Sequence, residues 1–234
     1  MNEKVQWGVL GAAKIAQKKV IPAMQGGELS QVRAIASGDG DKARAAAEEL
    51  GIPFAYGSYE ELLADPQIEA VYIPLPNHLH VEWSRKALEA GKHVLCEKPL
   101  ALRVEDVDEL IRLRDTTGLK IGEAFMVDSN TQWIEARKRL REGEIGRLRA
   151  VNGVFSYDNP DPENIRNRYR EGGGGMWDIG CYPVHSARYT FEEEPTEAAA
   201  VMEREPETGV DTLASAILSF PSGTLTFTCS TRIA

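Results

Sequence analysis

The fold is decided by the stretch Lys92-His93-Val94-Leu95-Cys96-Glu97-Lys98-Pro99-Leu100. Residues 94–96 are apolar and predict a short buried strand, which ends on the charged pair Glu97 and Lys98. Because Pro99 restricts the residue before it to extended backbone, the chain itself sets the direction of Lys98. Ligands of open α/β sheets bind at the carboxyl ends of the strands, so the pair predicts a ligand site. An isolated Glu-Lys pair is otherwise a surface ion pair of little energetic value.

The bulk properties of the chain exclude several classes of protein. With 234 residues it is long enough for two small domains, and its net charge of -9 argues against a nucleic-acid-binding surface. No apolar run has the length of a membrane span, and the first residues lack the apolar core of a signal peptide. Three widely spaced cysteines without a Cys-x-x-Cys predict free thiols and no metal site. We therefore expect a cytoplasmic protein with neither nucleic-acid nor membrane partners.

The first predicted strand runs into a turn with the sequence Gly11-Ala12-Ala13-Lys14-Ile15-Ala16. The spacing places Gly11, Ala13 and Ala16 at the three small positions of the dinucleotide-binding turn G-x-G-x-x-G/A. Backbone N–H groups at the helix start, around Lys14 and Ile15, would then hold a pyrophosphate. Since alanine replaces the second glycine, a plain strand-turn-helix accounts for these six residues equally well.

A second predicted strand, residues 31–37, ends where a Rossmann unit binds the adenosine ribose. The residues that would bind the 2′-phosphate of NADP are Ser37, Gly38, Lys42 and Arg44. Asp39 would instead bind the free 2′-hydroxyl of NAD. A solvated loop with Asp41 as the N-cap of the next helix is the structural alternative. We expect NADP, with NAD possible.

Strands and helices alternate up to residue 123, which predicts a doubly wound parallel sheet with right-handed crossovers. The strand at residues 70–73 ends in Pro74-Leu75-Pro76-Asn77-His78, a further candidate contact for the cofactor at a strand carboxyl end. His78 and His80 have no cysteine partners, so we expect polar groups at a helix start and no metal. Ser58 and Glu61 predict a capping box. Residues 1–123 should therefore form a dinucleotide-binding domain.

Residues 124–234 are expected to form an α+β domain with a mainly antiparallel sheet, because the alternation stops after residue 123. The predicted elements are a helix at 133–142 and strands at 148–157, 211–220 and 224–230, the last two joined by a hairpin turn at 221–223. Leu225, Phe227 and Cys229 alternate with threonines, which is typical of a sheet with one covered face.

Four glycines, residues 172–175, precede the most polar candidate segment of this half. They predict a hinge, a close approach of backbone to a ligand, or a flexible loop. If a helix begins directly after them, Asp178, Tyr182 and His185 share one face and predict a substrate site. A lone tyrosine at such a place would more often be packed with its hydroxyl bound to the backbone.

These stretches, in this order, resemble a known family. The chain is similar to the glucose-fructose oxidoreductase / inositol dehydrogenase / MocA (Gfo/Idh/MocA) oxidoreductases at residues 11–16, 72–78, 97–99 and 178–182. With tyrosine at position 182, it resembles the glucose-fructose oxidoreductase, aldose dehydrogenase and dihydrodiol dehydrogenase side, because inositol-type members have histidine there. Ser37, Gly38 and Lys42 resemble the ribose-binding end of the NADP-using glucose-fructose enzymes.

The resemblance implies that Lys98 and Tyr182 are catalytic, that Asp178 contacts the substrate, and that Glu97 lies among the cofactor contacts. A tyrosine titrates near 10, so it needs a cation beside it to act as a base. Our hypothesis is that Tyr182 is the general acid and base, Lys98 its electrostatic partner, and Asp178 the ligand of a sugar hydroxyl. His185 is a further substrate-binding candidate. Lys98 as the base itself is the alternative.

The implied function is an NAD(P)-dependent oxidoreductase acting on a sugar, polyol or related diol, assembled as a homo-oligomer through the second-domain sheet. The alternatives are a dinucleotide-binding sensor without turnover and a truncated, partly folded product. Family members continue beyond the point where this chain stops, so we expect a shortened second domain or a fragment. An uncovered edge strand would favour pairing with another chain.

Overall fold

The computed structural model describes residues 4–233, and the chain divides between Ala124 and Phe125 into two units. The strands of the first unit are β1 (Val5–Leu10), β2 (Ser30–Ala36), β3 (Phe54–Tyr56), β4 (Ala70–Ile73), β5 (His93–Glu97) and β6 (Ile121–Ala124). They form one parallel sheet in the order β3-β2-β1-β4-β5-β6. The strand order reverses between β1 and β4, which makes the carboxyl ends of these strands the topological switch point.

Helices cover both faces of this sheet. They are α1 (Ile21–Gln25), α2 (Gly40–Leu50), α3 (Tyr59–Ala64), α4 (His80–Glu89) and α5 (Val104–Thr117), with a π-helical turn Ala16–Val20 before α1 and a 3-10 turn Asn77–Leu79 before α4. All four residues of β4 are buried, and one core includes Ile73 while the other includes Tyr72. A strand covered on both faces has a continuous apolar sequence. The predicted doubly wound parallel sheet is confirmed.

The N-cap of α2 is Asp39, and the prediction of Asp41 is wrong. Asp39 has the extended backbone of an N-cap (φ -114°, ψ 108°), whereas Asp41 lies inside the first turn. The Asp39 carboxylate accepts hydrogen bonds from the N–H groups of Asp41 at 3.0 Å and Lys42 at 3.2 Å.

The predicted capping box of α3 is half formed. Ser58 Oγ accepts the N–H of Glu61 at 3.2 Å, as predicted. The Glu61 carboxylate, however, accepts the N–H of Gly57 at 3.1 Å instead of that of Ser58. The helix start is still satisfied from both sides, because the reciprocal bond has moved by one residue.

The second unit contains a four-stranded sheet. Its strands are β7 (Ala150–Ser156), β8 (Glu197–Arg204), β9 (Asp211–Ser219) and β10 (Thr224–Ser230), in the order β7-β10-β9-β8. β9 pairs antiparallel with β8 and β10, whereas β10 pairs parallel with β7. The predicted mainly antiparallel sheet is confirmed, with one parallel pairing that the sequence pattern did not indicate. The first strand after the glycine run, β8, was not predicted at all.

One face of this second sheet is covered. The helices of the unit are α6 (Thr131–Arg141) and α7 (Cys181–Phe191), and a π-helical turn Met176–Gly180 leads into α7. Leu225, Phe227 and Cys229 are buried in a core that also contains Ala187 of α7, as their alternation with threonines predicts. Phe220 and Gly223 exchange backbone hydrogen bonds at the predicted hairpin turn.

The opposite face of the sheet carries exposed apolar side chains, and we call it the open face. It is lined by two cross-strand rows, Val154-Thr228-Ser215-Val201 and Asn152-Thr226-Ile217-Ala199. Val154 is 81% exposed and Val201 73%, which is unusual for valines in the middle of strands.

Within residues 4–233, no helix combines the length and the apolar character needed to cross a bilayer.

Candidate active site

The turn after β1 has the backbone that a dinucleotide needs. Gly11 adopts φ +114°, a conformation that side chains disfavour, and its N–H donates to Ala36 O at 2.8 Å. A Cβ on Gly11 would lie 2.8 Å from Leu75 Cδ2. Lys14 and Ile15 are exposed, and no side chain caps the helix that begins there. The amide groups of this first turn therefore suit the oxygens of a pyrophosphate.

Around the end of β2, the structure separates the predicted cofactor residues into two groups. Asp39 is committed to capping α2, and Arg44 forms an ion pair with Asp41. Ser37 is nearly buried, with Oγ accepting the Asp39 N–H at 3.3 Å, while Lys42 is exposed. A Cβ on Gly38 would meet open space, so ligand atoms can approach the backbone there. This arrangement leaves Ser37, Gly38 and Lys42 suited to a phosphate and Asp39 less suited to a ribose hydroxyl.

His80 lies beneath the carboxyl ends of β4 and β5 and is fully buried. Its Nε2 is 2.7 Å from Leu75 O and its Nδ1 is 2.7 Å from Pro99 O. The expectation of a polar group at the helix start is therefore incomplete, because this ring joins the two segments that follow β4 and β5. Neighbouring Pro74 is buried, Asn77 is half-buried and His78 is exposed.

Glu97 at the end of β5 is held by a residue that the sequence reasoning did not select. Tyr72 of β4 is fully buried and donates a hydrogen bond to Glu97 Oε1 at 2.6 Å. Burial, and then the Glu97 charge, raise the pKa of Tyr72 far above its usual range, so its hydroxyl stays a donor. Lys98 follows half-buried, and the Lys98–Pro99 peptide is cis.

In the second unit, the glycine run is a packing requirement. Gly174 has φ +133°, and a Cβ there would collide with Asp211 Oδ1. A Cβ on Gly173 would lie 2.5 Å from Arg166 O. Asp211, 6% exposed, accepts the Met176 N–H at 2.6 Å and so fixes the start of the following helical segment. The backbone of the glycine run is therefore closely approached, as one of the predictions required, but the approaching atoms belong to Asp211 and Arg166 of the protein itself.

Asp178 lies in the π-helical turn and has a protein partner on each carboxylate oxygen. Tyr157 donates its hydroxyl to Oδ2 at 2.5 Å, and Arg166 donates Nε–H to Oδ1 at 3.0 Å. Burial, and then Asp178, raise the pKa of Tyr157 above its usual range. Tyr157 therefore remains protonated and acts as a donor to Asp178. Neither Tyr157 nor Arg166 was predicted, because both lie far from Asp178 in the sequence.

Tyr182 and His185 have different surroundings from Asp178. The Tyr182 ring centroid is 5.0 Å from that of Phe125 and 5.5 Å from that of Phe155. His185 stacks on Phe125 at 4.2 Å, and its Nε2 lies 2.7 Å from Asp128 Oδ1. The helical segment from residue 176 begins with a π-helical turn of five residues and becomes α-helical at Cys181. These contacts give His185 a structural role, and its predicted substrate contact stays a prediction.

The residues fit a nicotinamide dinucleotide. In the described part of the chain, no group of three or more His, Cys, Asp or Glu side chains is placed to hold a metal ion. The Gly11 turn, the open approach at Gly38 and the charged end of β5 all lie at the carboxyl edge of one parallel sheet. That edge is where doubly wound sheets bind dinucleotides.

Comparison with known proteins supports the same assignment. A family model described as an oxidoreductase family with an NAD-binding Rossmann fold matches residues 5–125, and the GFO/IDH/MocA C-terminal domain matches residues 133–234. A Rhizobium meliloti protein named as an uncharacterized oxidoreductase is 53% identical over 98% of this chain and 69% of its own length. D-xylose 1-dehydrogenase (NADP⁺) 2 of Haloferax volcanii is 42% identical over 94% of this chain and 67% of its own length.

A solved structure is similar throughout the chain. The 3-ketoreductase of Actinomadura kijaniata, in complex with NADP and TDP-benzene, superposes with a TM-score of 0.92 at 34% identity. It covers 99% of this chain, which in turn covers 71% of that protein. The two family models together span almost the whole chain, and the resemblance inferred from the motifs is confirmed. The chain therefore belongs to the Gfo/Idh/MocA family of NAD(P)-dependent oxidoreductases.

Proposed function

We propose that this chain moves a hydride between a nicotinamide and a carbon that bears a hydroxyl or keto group in a sugar, polyol or related diol. The observation that carries the proposal is in the first unit, where the dinucleotide turn after β1 and the Glu97-Lys98 pair at the end of β5 share one sheet edge. A cation at that edge suits the oxygen of a reacting alcohol or ketone. The names of the xylose dehydrogenase and the 3-ketoreductase point to the same class of substrate.

For the cofactor we propose NADP in preference to NAD. When bound, the nicotinamide would accept or supply the hydride. Ser37, Gly38 and Lys42 would bind the 2′-phosphate, whereas Asp39, the residue expected to hold a free ribose hydroxyl, caps α2 instead. Ala13, Lys14 and Ile15 would hold the pyrophosphate. Pro74, Leu75, Asn77, His78 and Glu97 are the proposed contacts at the ends of β4 and β5.

For the chemical step we propose three residues with separate tasks. Tyr182 would take the proton of the substrate hydroxyl during oxidation and return it during reduction. Lys98 would donate to the same oxygen and favour the ionised tyrosine through its charge. Asp178, held by two protein donors, would accept a hydrogen bond from a neighbouring substrate hydroxyl through its remaining lone pairs.

We also propose that residues 1–123 bind the dinucleotide, that residues 124–234 bind the substrate, and that the open face joins two copies of the chain. Val154, Val201 and Ile217 form an apolar surface on strands, and such contiguous surfaces mark interaction sites on soluble proteins. A second copy is the simplest partner, because flat sheet faces can pack on one another about a two-fold axis. Cys96, Cys181 and Cys229 form no disulfide, which suits a cytoplasmic location.

The deciding experiment is turnover of a panel of aldoses, polyols and diols with NADP and with NAD, read from the near-ultraviolet absorbance of reduced nicotinamide. We expect turnover with at least one sugar, faster with NADP. Lys98→Met and Tyr182→Phe should each lower turnover by about a hundredfold or more. Lys120→Met and Tyr169→Phe, two exposed residues of the same types, should not. Cofactor binding without turnover on any substrate would favour a sensor and overturn the proposal.

A further inference from the structure

Asp178 forms a cluster with Tyr157 and Arg166, and the proposed reaction assigns neither of these two partners a part in the chemistry. Its two oxygens are occupied by Tyr157 and Arg166, so its charge is compensated within the second unit. The Asp178 side chain is 15% exposed, whereas that of Arg166 is 47% exposed. The ion pair is therefore partly removed from water, so its two charges interact more strongly than those of a fully exposed pair.

The backbone around Arg166 is fixed by the glycine run. Gly174 N–H donates to Arg166 O at 3.0 Å, and Asn164 Oδ1 accepts the Arg166 N–H at 3.1 Å. Gly173 passes so close to Arg166 O that any side chain would displace it. The segment that contains Asp178 begins directly after this run. The glycines therefore hold Arg166 at a defined distance from the helical segment that carries Asp178 and Tyr182.

We propose that Arg166 is a positioning residue that orients Asp178 and stabilises the negative charge of Tyr182 when that phenol gives up its proton. The inference rests on the proposed function, because the role of Tyr182 as acid and base belongs to it. Arg166 supplies a cation within the second unit itself, in addition to the one expected from Lys98. Its removal would also take away the cation at Asp178 Oδ1, one helical turn from Tyr182.

The electrostatic surroundings support this coupling. Burial lowers the pKa of Arg166, but Asp178 and, more weakly, the ionisable Tyr157 and Tyr182 together raise it above its usual value. Coupling between two ionisable groups is reciprocal, so an Arg166 cation that is favoured by ionised Tyr182 favours that ionised form in return. Of the other charged groups, Arg232 acts on Tyr157, and His185, three residues after Tyr182, has its Nε2 2.7 Å from Asp128 Oδ1. Nearby Glu163 and Glu171 bind Arg168.

The test is the pH dependence of sugar oxidation by the protein with bound cofactor. Turnover should rise with pH as Tyr182 ionises. In Arg166→Gln the rise should move to higher pH by about one unit, the effect expected for loss of a nearby opposite charge. Arg166→Lys should restore most of the shift. Arg170→Gln, an exposed arginine in the adjacent turn Tyr169–Glu171, is the matched control and should leave the profile in place.

A second readout requires no activity. Ultraviolet difference absorbance reports tyrosinate, and subtracting the titration of the corresponding Tyr182→Phe protein isolates Tyr182 in each background. The same upward shift in Arg166→Gln would support the proposal, even if no sugar is turned over and the proposed function fails. An unshifted Tyr182 titration in a folded Arg166→Gln protein, with circular dichroism equal to wild type, would overturn it. A uniform loss of turnover at every pH would also overturn it, since that is the result of a merely structural role.

Discussion

His80 Nδ1 lies 2.7 Å from the carbonyl oxygen of Pro99, which joins the buried start of α4 to the residue after Lys98. The other ring nitrogen lies equally close to Leu75 O. An imidazole nitrogen that carries a proton can donate it to the carbonyl oxygen beside it, so the tautomer decides which of the two oxygens accepts. The conformation of residues 97–99 therefore depends on the side chain of His80, which the sequence places only at the start of a helix.

Replacing His80 with leucine should destabilise the protein by about 2–4 kcal/mol, because the carbonyl oxygens of Leu75 and Pro99 lose the buried ring that lies 2.7 Å from each of them. Urea unfolding followed by circular dichroism measures the change. His78→Leu is the matched control, since His78 is exposed only two residues away, and it should change the free energy of unfolding little. Equal stability of the two variants would show that the His80 contacts contribute nothing net.

Tyr72→Phe should weaken binding of the nicotinamide cofactor several-fold. The buried hydroxyl that orients Glu97 is lost, and a hydrogen bond to a charged group typically contributes about 1.5–3 kcal/mol. Quenching of tryptophan fluorescence by NADPH gives the dissociation constant. Tyr56→Phe removes a similar donor, which binds Asp65 at 3.0 Å, and should reduce stability while leaving cofactor affinity unchanged. Comparable losses of affinity in both would argue against a specific role for Tyr72.

Asp65 should contribute to stability in a pH-dependent way. Although burial raises the pKa of this carboxyl, hydrogen bonds from the Gln67 N–H and Tyr56 and the charge of Arg33 lower it below its usual 3.8. A carboxyl whose pKa is depressed in the folded state stabilises the fold above its unfolded pKa, and that stabilisation disappears as pH falls through the folded value. Asp65→Asn should therefore cost most at neutral pH and progressively less below pH 3.8. Urea unfolding over this pH range measures the cost, and a cost that stays constant from neutral pH to below 3.8 would contradict the role of the Asp65 charge.

Gly174→Ala should destabilise the second unit strongly, by about 3 kcal/mol or more, since both backbone strain and a collision with Asp211 are introduced. Gly209→Ala separates the two causes. Gly209 also has positive φ, +73°, but a Cβ there meets open space, so only the conformational cost of about 1–2 kcal/mol applies. Thermal unfolding measures both, and a Gly174 variant no worse than the Gly209 variant would contradict the packing role.

Val154→Lys on the open face should convert an oligomer to a smaller species, because a desolvated charge opposes pairing of two apolar faces. Sedimentation velocity over a range of protein concentrations measures this. Val104→Lys, at a similarly exposed valine of the first unit, should leave the oligomer intact. A wild-type protein that sediments as a monomer at all concentrations would reject the proposed interface.

Much of the first unit could be predicted because several of its strands contain a short apolar run that stops at glycine, proline or a charge. The apolar residues 70–73 and 94–96 became β4 and the centre of β5. β8 was missed for the opposite reason. Its sequence Glu-Ala-Ala-Ala-Val-Met-Glu-Arg lacks period-two alternation, and every one of its residues is exposed. Edge strands of this kind are held by backbone pairing with a neighbour, which composition does not reveal.

The candidate site was predictable only where its residues follow a strand or form a motif. Lys98 and Tyr182 belong to recognisable segments, whereas Arg166 and Tyr157 meet Asp178 through tertiary packing over sequence separations of 12 and 21 residues. The cap at Asp39 was missed because Asp39 and Asp41 are both suitable residue types, and only the backbone angles distinguish them. Assignments that depend on which of two similar residues faces a neighbour require coordinates.

The parallel pairing of β7 with β10 has a consequence for synthesis of the chain. The first unit is complete in sequence at β6, so it can fold while later residues are still being added. In the described residues β7 pairs with β10 alone, and β10 begins only at Thr224. A nascent chain arrested before that residue would carry a finished Rossmann sheet together with a strand whose edges are both unpaired, and it would be the form most exposed to aggregation or to chaperones.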